Sequence, residues 1–348
     1  MYLSDDAASV KELFKLAPIA FGGGGKPGWY DVLRSELAAL LGEDNFSLTY
    51  AWREDKFMLT LALPLDITDE QLGQVRVLLG SVPPRNQVVE IDELPLGFSS
   101  VSYLENSGTQ YMDTGLIPSN VTGIKVDSQF VRINDSIACG CRTSSPAYTR
   151  FYAVRPPYLT SNGKYVNGYG WGAWVEFNPV GGSYREETKL NWQNSRIAEC
   201  RAGVIQLNAL TFEPTLPMFV FAANIAGKPS NMFIGRIWSL SVSEYENVIA
   251  NFIPCIDAGG LPCLYNTVNR KVLRNLGAGG FVAGVDTLTQ LEAVLSGLPD
   301  RTGQDGGELH LRLADALYES AVASGIIEAT ATAKNWQIAY DPTTEIAA

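Results

Sequence analysis

The feature that most constrains this chain is the texture of residues 98–284: many short runs of strand-forming residues, broken every few positions by glycine, proline or asparagine, with aromatic side chains throughout. Ten of the 15 tyrosines fall in this stretch. Val220-Phe-Ala-Ala223 and Gly235-Arg-Ile-Trp-Ser-Leu-Ser-Val242 read as individual strands. The strands are many, short and separated by frequent turns. They predict two packed antiparallel sheets, a sandwich or a jelly roll.

Two segments of this stretch carry a more specific pattern. The first is Tyr103-Leu-Glu-Asn-Ser-Gly-Thr-Gln-Tyr-Met-Asp-Thr-Gly115. The second runs from Phe252-Ile-Pro-Cys-Ile-Asp-Ala-Gly-Gly-Leu-Pro-Cys-Leu-Tyr-Asn-Thr-Val-Asn-Arg-Lys-Val272 to Gly277-Ala-Gly-Gly-Phe-Val-Ala-Gly284. Together they resemble the opening and closing halves of the laminin-G/concanavalin-A-like jelly rolls of bacteriophage tail and host-attachment proteins. The resemblance implies an opening edge strand and turn in the first segment, and a last inner strand with a return hairpin in the second. It also implies that Ala222-Ala-Asn224 and Arg236-Ile-Trp-Ser-Leu240 lie on strands near the end of the roll. The middle, residues 140–200, departs from the family pattern. A fold of this kind hosts many functions, so the motifs specify a scaffold and no particular ligand.

The flanks read differently. Residues 1–95 follow the order α-α-β-β-α-β: a capped helix from Ser9, a second over Trp29–Leu41, a hairpin of Phe46–Trp52 with Lys56–Leu63, a helix capped by Thr68 or Asp69, and a last strand ending at Ile91. The end of this unit resembles the small α/β domain of phage baseplate and tail-connector proteins, which implies docking on other virion proteins. Residues 285–348 give a helix over Thr287–Ser296, a strand over Glu308–Leu313, helices over Asp315–Ser324 and Ile326–Lys334, and a strand over Trp336–Tyr340. Ala331-Thr-Ala-Lys-Asn-Trp-Gln-Ile338 resembles the end of a leucine-rich-repeat-like unit seen at the C-terminus of phage and bacterial surface proteins. One such unit cannot bury both its faces, so it is expected to pack on the sandwich or on another copy. Formal charge divides the same way: −7 over 1–95, +3 over 96–283 and −7 over 284–348. The expectation is three units, 1–95, 96–284 and 285–348, in a mainly β protein with α+β ends.

Several chemistries fit the sequence poorly. The one histidine, His310, sits in the alternating strand Glu308-Leu-His-Leu-Arg-Leu313, whereas Ser-His-Asp and Cys-His catalysis and most zinc hydrolases need an imidazole at the site. Glu90-Ile-Asp92 is the one Glu-x-Asp, lies outside the roll, and has Pro95 where jelly-roll glucanases place a second Glu. Glu186 and Glu187 are adjacent, would point apart on a strand, and read as solvated. Gly23-Gly-Gly-Lys-Pro-Gly28 matches a dinucleotide fingerprint only in letters, because no strand precedes it and Pro27 follows the lysine. It reads as a joint between helices. Asp113, Asp127 and Asp135 make no compact calcium loop. An acidic chain without a basic cluster argues against nucleic acid, and no apolar run approaches the ~20 residues of a membrane span. The acidic start is unlike a signal peptide, so folding in the producing cell's cytoplasm is expected. Five cysteines cannot all pair within one chain, and buried reduced thiols are expected. Cys255 and Cys263 could face each other across a hairpin, and whether they bridge stays open.

What remains is a binding surface. The divergent middle concentrates Tyr, Trp, Asn and Gly. Sugar rings present C–H faces that stack on aromatic planes, while amides take up hydroxyls. The candidates are Tyr158, Tyr165, Tyr169, Trp174 and Trp192, with Asn162 and Asn167 as hydroxyl partners; the competing reading is that these rings fill the sandwich core or a subunit interface. The expectation is a non-enzymatic, cofactor-free tail or baseplate-associated virion protein. It would dock through its N-terminal domain, act as a homo-oligomer, and bind a host-surface glycan or protein through the jelly roll. The alternatives are a purely structural baseplate, collar or capsid-decoration protein, and an enzyme acting on polysaccharide.

Overall fold

The computed structural model describes residues 28–53, 56–81, 87–130, 137–142, 151–159, 165–169, 173–177, 185–191, 197–200, 203–206 and 214–342. The chain divides once, into Met1–Leu96 and Gly97–Ala348. The helix expected from Ser9 and the glycine-rich joint lie outside the described residues.

In the first unit, helix α1 (Gly28–Leu41) precedes strands β1 (Ser47–Arg53) and β2 (Lys56–Ala62), then helix α2 (Asp69–Gly80) and strand β3 (Gln87–Ile91). β1 and β2 form an antiparallel hairpin, and β3 joins β2 in parallel after α2 crosses over. Of the two caps the sequence offers for α2, the structure uses Thr68: its Oγ1 accepts from Gln71 N at 3.1 Å, and the Gln71 side chain accepts from Thr68 N. The i, i+4 spacing of α1 puts Trp29, Leu33, Leu37 and Leu41 on one buried stripe against Leu48, Leu59, Leu61, Val75 and Leu78.

The second unit is mainly β. Its first strands are β4 (Ser99–Ser100), β5 (Tyr103–Asn106), β6 (Met112–Asp113), β7 (Thr122–Phe130), β8 (Cys139–Arg142), β9 (Phe151–Leu159), β10 (Tyr165–Tyr169) and β11 (Ala173–Phe177). Then come β12 (Glu186–Asn191), β13 (Ile197–Cys200), β14 (Gly203–Gln206), β15 (Phe219–Val220), β16 (Ala223–Ile225) and β17 (Lys228–Ser230). β18 (Gly235–Glu244), β19 (Asn247–Ile256), β20 (Pro262–Asn266), β21 (Val272–Leu273) and β22 (Val282–Gly284) lead to helix α3 (Leu288–Gly297). β23 (Gly307–Leu313), helix α4 (Asp315–Ala323), two short helical turns over 327–334 and β24 (Trp336–Pro342) complete it.

These strands make two sheets. The larger has the path β14-β13-β12-β7-β18-β5-β22-β23-β24, with β19, β20, β21 and β4 branching from β18; the smaller runs β11-β10-β9-β8-β15-β6, with β16 and β17 beside β8. One apolar core lies between them. Leu104, Ile124, Val126, Ile237, Leu240 and Phe252 enter it from the larger sheet, and Met112, Cys139, Cys141, Val154 and Val220 from the smaller. β7 shows why: Thr122, Ile124, Val126, Ser128 and Phe130 are buried while the residues between them are not, the period of a half-buried strand.

The two quoted segments meet in this sandwich. β5 pairs antiparallel with β22. Beside that pair, Thr109 Oγ1 donates to the Ala278 carbonyl at 2.8 Å and Leu276 N donates to the Tyr111 carbonyl at 2.9 Å. Asn106 and Gln110 are almost wholly buried and hold the turn: Asn106 Oδ1 accepts from Gly108 N at 2.7 Å, and its amide donates to the Gln110 carbonyl at 2.8 Å.

The stretch 285–348, expected as a unit of its own, belongs to the same compact unit as the sandwich. β22, β23 and β24 are parallel neighbours in the large sheet, linked by helical crossovers, and Leu291, Leu295, Leu309, Leu311, Ala331 and Trp336 share the sandwich core. A change of charge marks exposed residues. It does not mark where backbone pairing or apolar packing stops, and here both continue across residue 284.

Candidate functional site

Five of the candidate aromatic and amide residues lie on three consecutive strands at one end of the smaller sheet. Tyr158 is on β9; Tyr165, Asn167 and Tyr169 are on β10; Trp174 is on β11. Asn162 and Trp192 lie outside the described residues. The register sorts the five into two sets. Tyr165, Asn167 and Tyr169 occupy alternate positions, and Tyr169 pairs with Val154, a residue of the core. Trp174 pairs with Gly168 and Tyr158 with Val166, at the opposite parity. The break in register lies at Pro156-Pro157, where two residues of β9 face one of β10. Proline cannot donate to a ladder, which places a bulge there.

A second set of aromatic and charged groups covers the outer face of the larger sheet, outside the candidates named from the sequence. Glu105 on β5 takes Arg236 Nε on Oε2 at 2.7 Å and Arg312 Nη2 on Oε1 at 2.8 Å. The side chains of this triad are only 7–16% exposed. Arg236 lies over the Tyr103 ring at 5.0 Å, Tyr103 tilts against Trp238 at 4.9 Å, and Arg185 caps Trp238 at 4.4 Å. Arg185 in turn grips Asp127 with Nε and Nη2, at 2.9 Å and 2.6 Å; that bond and the carboxylate charge hold its guanidinium above the ordinary range. Burial, opposed by Arg236, pushes the Tyr103 hydroxyl up to about 12. The ring needs a glycine behind it: a Cβ on Gly284 would come within 2.2 Å of Tyr103. This column joins β23 to the sandwich through groups 131 and 207 residues apart in sequence. Period-two alternation could flag each residue as outward-facing, yet nothing local pairs them.

The remaining chemistry-bearing residues have structural partners. His310 is exposed on β23, 3.3 Å from Glu308. Asp113 accepts from Gly115 N and closes a turn, and Asp92 does the same for Leu94 N; Asp135 lies outside the described residues. Glu187 points outward to Lys125 at 2.8 Å, a bond that lowers its pKa. Glu186 was expected to be solvated beside it but is buried at 6%, because its position on β12 faces the core. Cys139 and Cys141 are buried, and loss of hydration pushes both thiols up to about 12. Among the described residues no group of three His, Cys, Asp or Glu side chains could hold a metal, and no helix is long and apolar enough to cross a membrane.

No family model matches the sequence, and no curated protein is similar to it. Among solved structures, the sialidase NanB of Streptococcus pneumoniae, in complex with 2-[(3-chlorobenzyl)ammonio]ethanesulfonate, aligns at 11% identity and a TM-score of 0.29, over 44% of this chain and 26% of that one. NanB with Optactamide gives the same coverage and TM-score at 10% identity. The chain therefore spans about a quarter of the length of these neighbours, and likeness at this level carries no argument about function.

Proposed function

We propose that this chain is a phage or prophage tail- or baseplate-associated protein whose sandwich is a jelly roll that binds a host-surface glycan without catalysis. On this reading the α/β unit at residues 1–96 docks on other virion proteins, and copies of the chain act together. The supporting observation is the placement of Tyr158 and Trp174 on β9 and β11. They flank β10 at one register parity, opposite to that of the buried Val154. Two strand spacings separate β9 from β11 by about 10 Å; on β10 Gly168 stands between Trp174 and Arg155, and Val166 stands between Tyr158 and Glu176. Two aromatic positions at one parity of a sheet suit the stacking of a sugar ring.

The test is binding of the purified full chain to a glycan array and to candidate host cells, beside Tyr158→Ala and Trp174→Ala. A stacked ring contributes on the order of 1 kcal/mol, so each substitution should weaken binding about five-fold while the protein stays folded. Unchanged binding in a folded double variant would remove this surface from the reading. Absence of any host or glycan binding by the wild type would leave a structural virion protein as the better account. Release of reducing ends from host polysaccharide would instead mark an enzyme.

A further inference from the structure

We infer that Cys255 and Cys263 form a redox modification site: a pair of thiols that closes into a cross-strand disulfide when the chain meets an oxidising environment. The two residues pair directly in the β19–β20 hairpin, and their sulfurs lie 3.4 Å apart in its interior. Directly paired residues of an antiparallel ladder have Cα atoms about 4.5–5.5 Å apart, inside the range that disulfides span. The sulfurs need to close by only about 1.4 Å to reach the bonding distance of about 2 Å.

The hairpin turn keeps that register. Asp257 Oδ1 accepts from Gly259 N and Leu261 N, each at 2.9 Å, its other oxygen meets Arg274, and Asp257 N donates to the Leu261 carbonyl at 3.0 Å. Pro254 and Pro262, which have no N–H, flank the pair at register positions next to it. Cys139 and Cys141 have no such relationship. They stand two apart on one strand, and their Cα atoms, about 6.6 Å apart, have parallel rather than converging side chains.

The chemistry is thiol–disulfide exchange with an external disulfide such as oxidised glutathione. One cysteine thiolate attacks it and expels one glutathione thiolate. The second cysteine attacks the mixed disulfide so formed and expels the other. The two cysteines lose two electrons and two protons, and both appear in two molecules of reduced glutathione. Burial disfavours the thiolate, so exchange proceeds during folding or local opening of the hairpin. Once closed, the bond is sheltered by the same burial.

The test uses the full chain, refolded in a glutathione redox buffer, alkylated and digested with trypsin. Cys255 and Cys263 fall in one peptide, Ile237–Arg270, while Cys139 and Cys141 fall in 133–142 and Cys200 in 197–201. The expected result is loss of about 2 Da and of both alkylation sites in the first peptide alone, reversed by dithiothreitol. Closing so short a segment should raise the melting temperature by about 5 °C, and Cys263→Ser should abolish that rise. The inference fails if both cysteines of the refolded protein are alkylated once it is unfolded in denaturant, if oxidation stops at a glutathione adduct, or if the closed bond lowers the melting temperature.

Discussion

Gln110 donates its side-chain amide to the carbonyl of Gly280 at 3.0 Å, across 170 residues of sequence. Gln110 is 3% exposed. A buried amide must find partners or lose stability, and this one finds them in both halves of the module: the Ser107 backbone N–H and hydroxyl on the near side, Gly280 on the far side. The bond ties the two recognisable segments to each other in the fold. Thr109 Oγ1 to the Ala278 carbonyl and Leu276 N to the Tyr111 carbonyl are further bonds between them.

That junction has no spare room. A Cβ on Gly277 would stand 1.9 Å from the Thr109 carbonyl oxygen, whereas a Cβ on Gly280 would meet nothing within 4 Å. Gly277→Ala should cost about 3 kcal/mol, since backbone cannot move aside as a flexible side chain can. Gly280→Ala should stay within about 0.5 kcal/mol of wild type. Urea unfolding of the two variants checks both values; equal stability would mean that the loops do not interlock.

Glu105 is held between Arg236 and Arg312, so its removal leaves two guanidinium groups short of their counter-charge in a mostly buried place. Glu105→Ala should destabilise the protein by about 3 kcal/mol. Because Arg312 lies on β23, amide hydrogen exchange in β23 and β24 should accelerate more than in β12 and β13. Uniform acceleration would show that the triad does not hold the C-terminal strands to the sandwich.

Tyr103 gives a pH signature. Its folded pKa, pushed up to about 12, lies above the unfolded value, so folding favours the neutral phenol. The associated stability is fully present below about pH 10 and is lost as the pH rises towards 12, by about 3 kcal/mol in all. Buried thiols titrate in the same alkaline range, and Tyr103→Phe isolates the phenol. Stability of that variant should fall less steeply between pH 10 and 12 than wild type. Parallel curves would show that Tyr103 ionises like an exposed tyrosine.

Register parity divides the aromatic candidates. Ala at Tyr165 or Tyr169, the parity of core residue Val154, should lower the melting temperature. Ala at Tyr158 or Trp174 should leave it nearly unchanged and act on binding instead. Thermal melts of the four single variants decide this before any ligand is known, and the reverse pattern would move the candidate surface to the other parity.

Local pattern was enough for much of this protein. Thr68 or Asp69 marked the start of α2, the alternation of Leu309, Leu311 and Leu313 marked the inward face of β23, and turn residues marked the shortness of the strands. Each of these depends on neighbours within a few residues, so it is written in consecutive letters. The sequence also named the five strand-borne candidates of the divergent middle, which strand pairing brought together. It could not sort them into faces, because parity depends on a bulge at Pro156-Pro157 and on pairing with Val154. The union of 285–348 with the sandwich, the inward turn of Glu186, and the Glu105–Arg236–Arg312 clamp were decided by tertiary structure alone. Their reason is common to all three: hydrogen bonds and apolar contacts between residues far apart in sequence fix which strands become neighbours, and composition and charge carry no record of that choice.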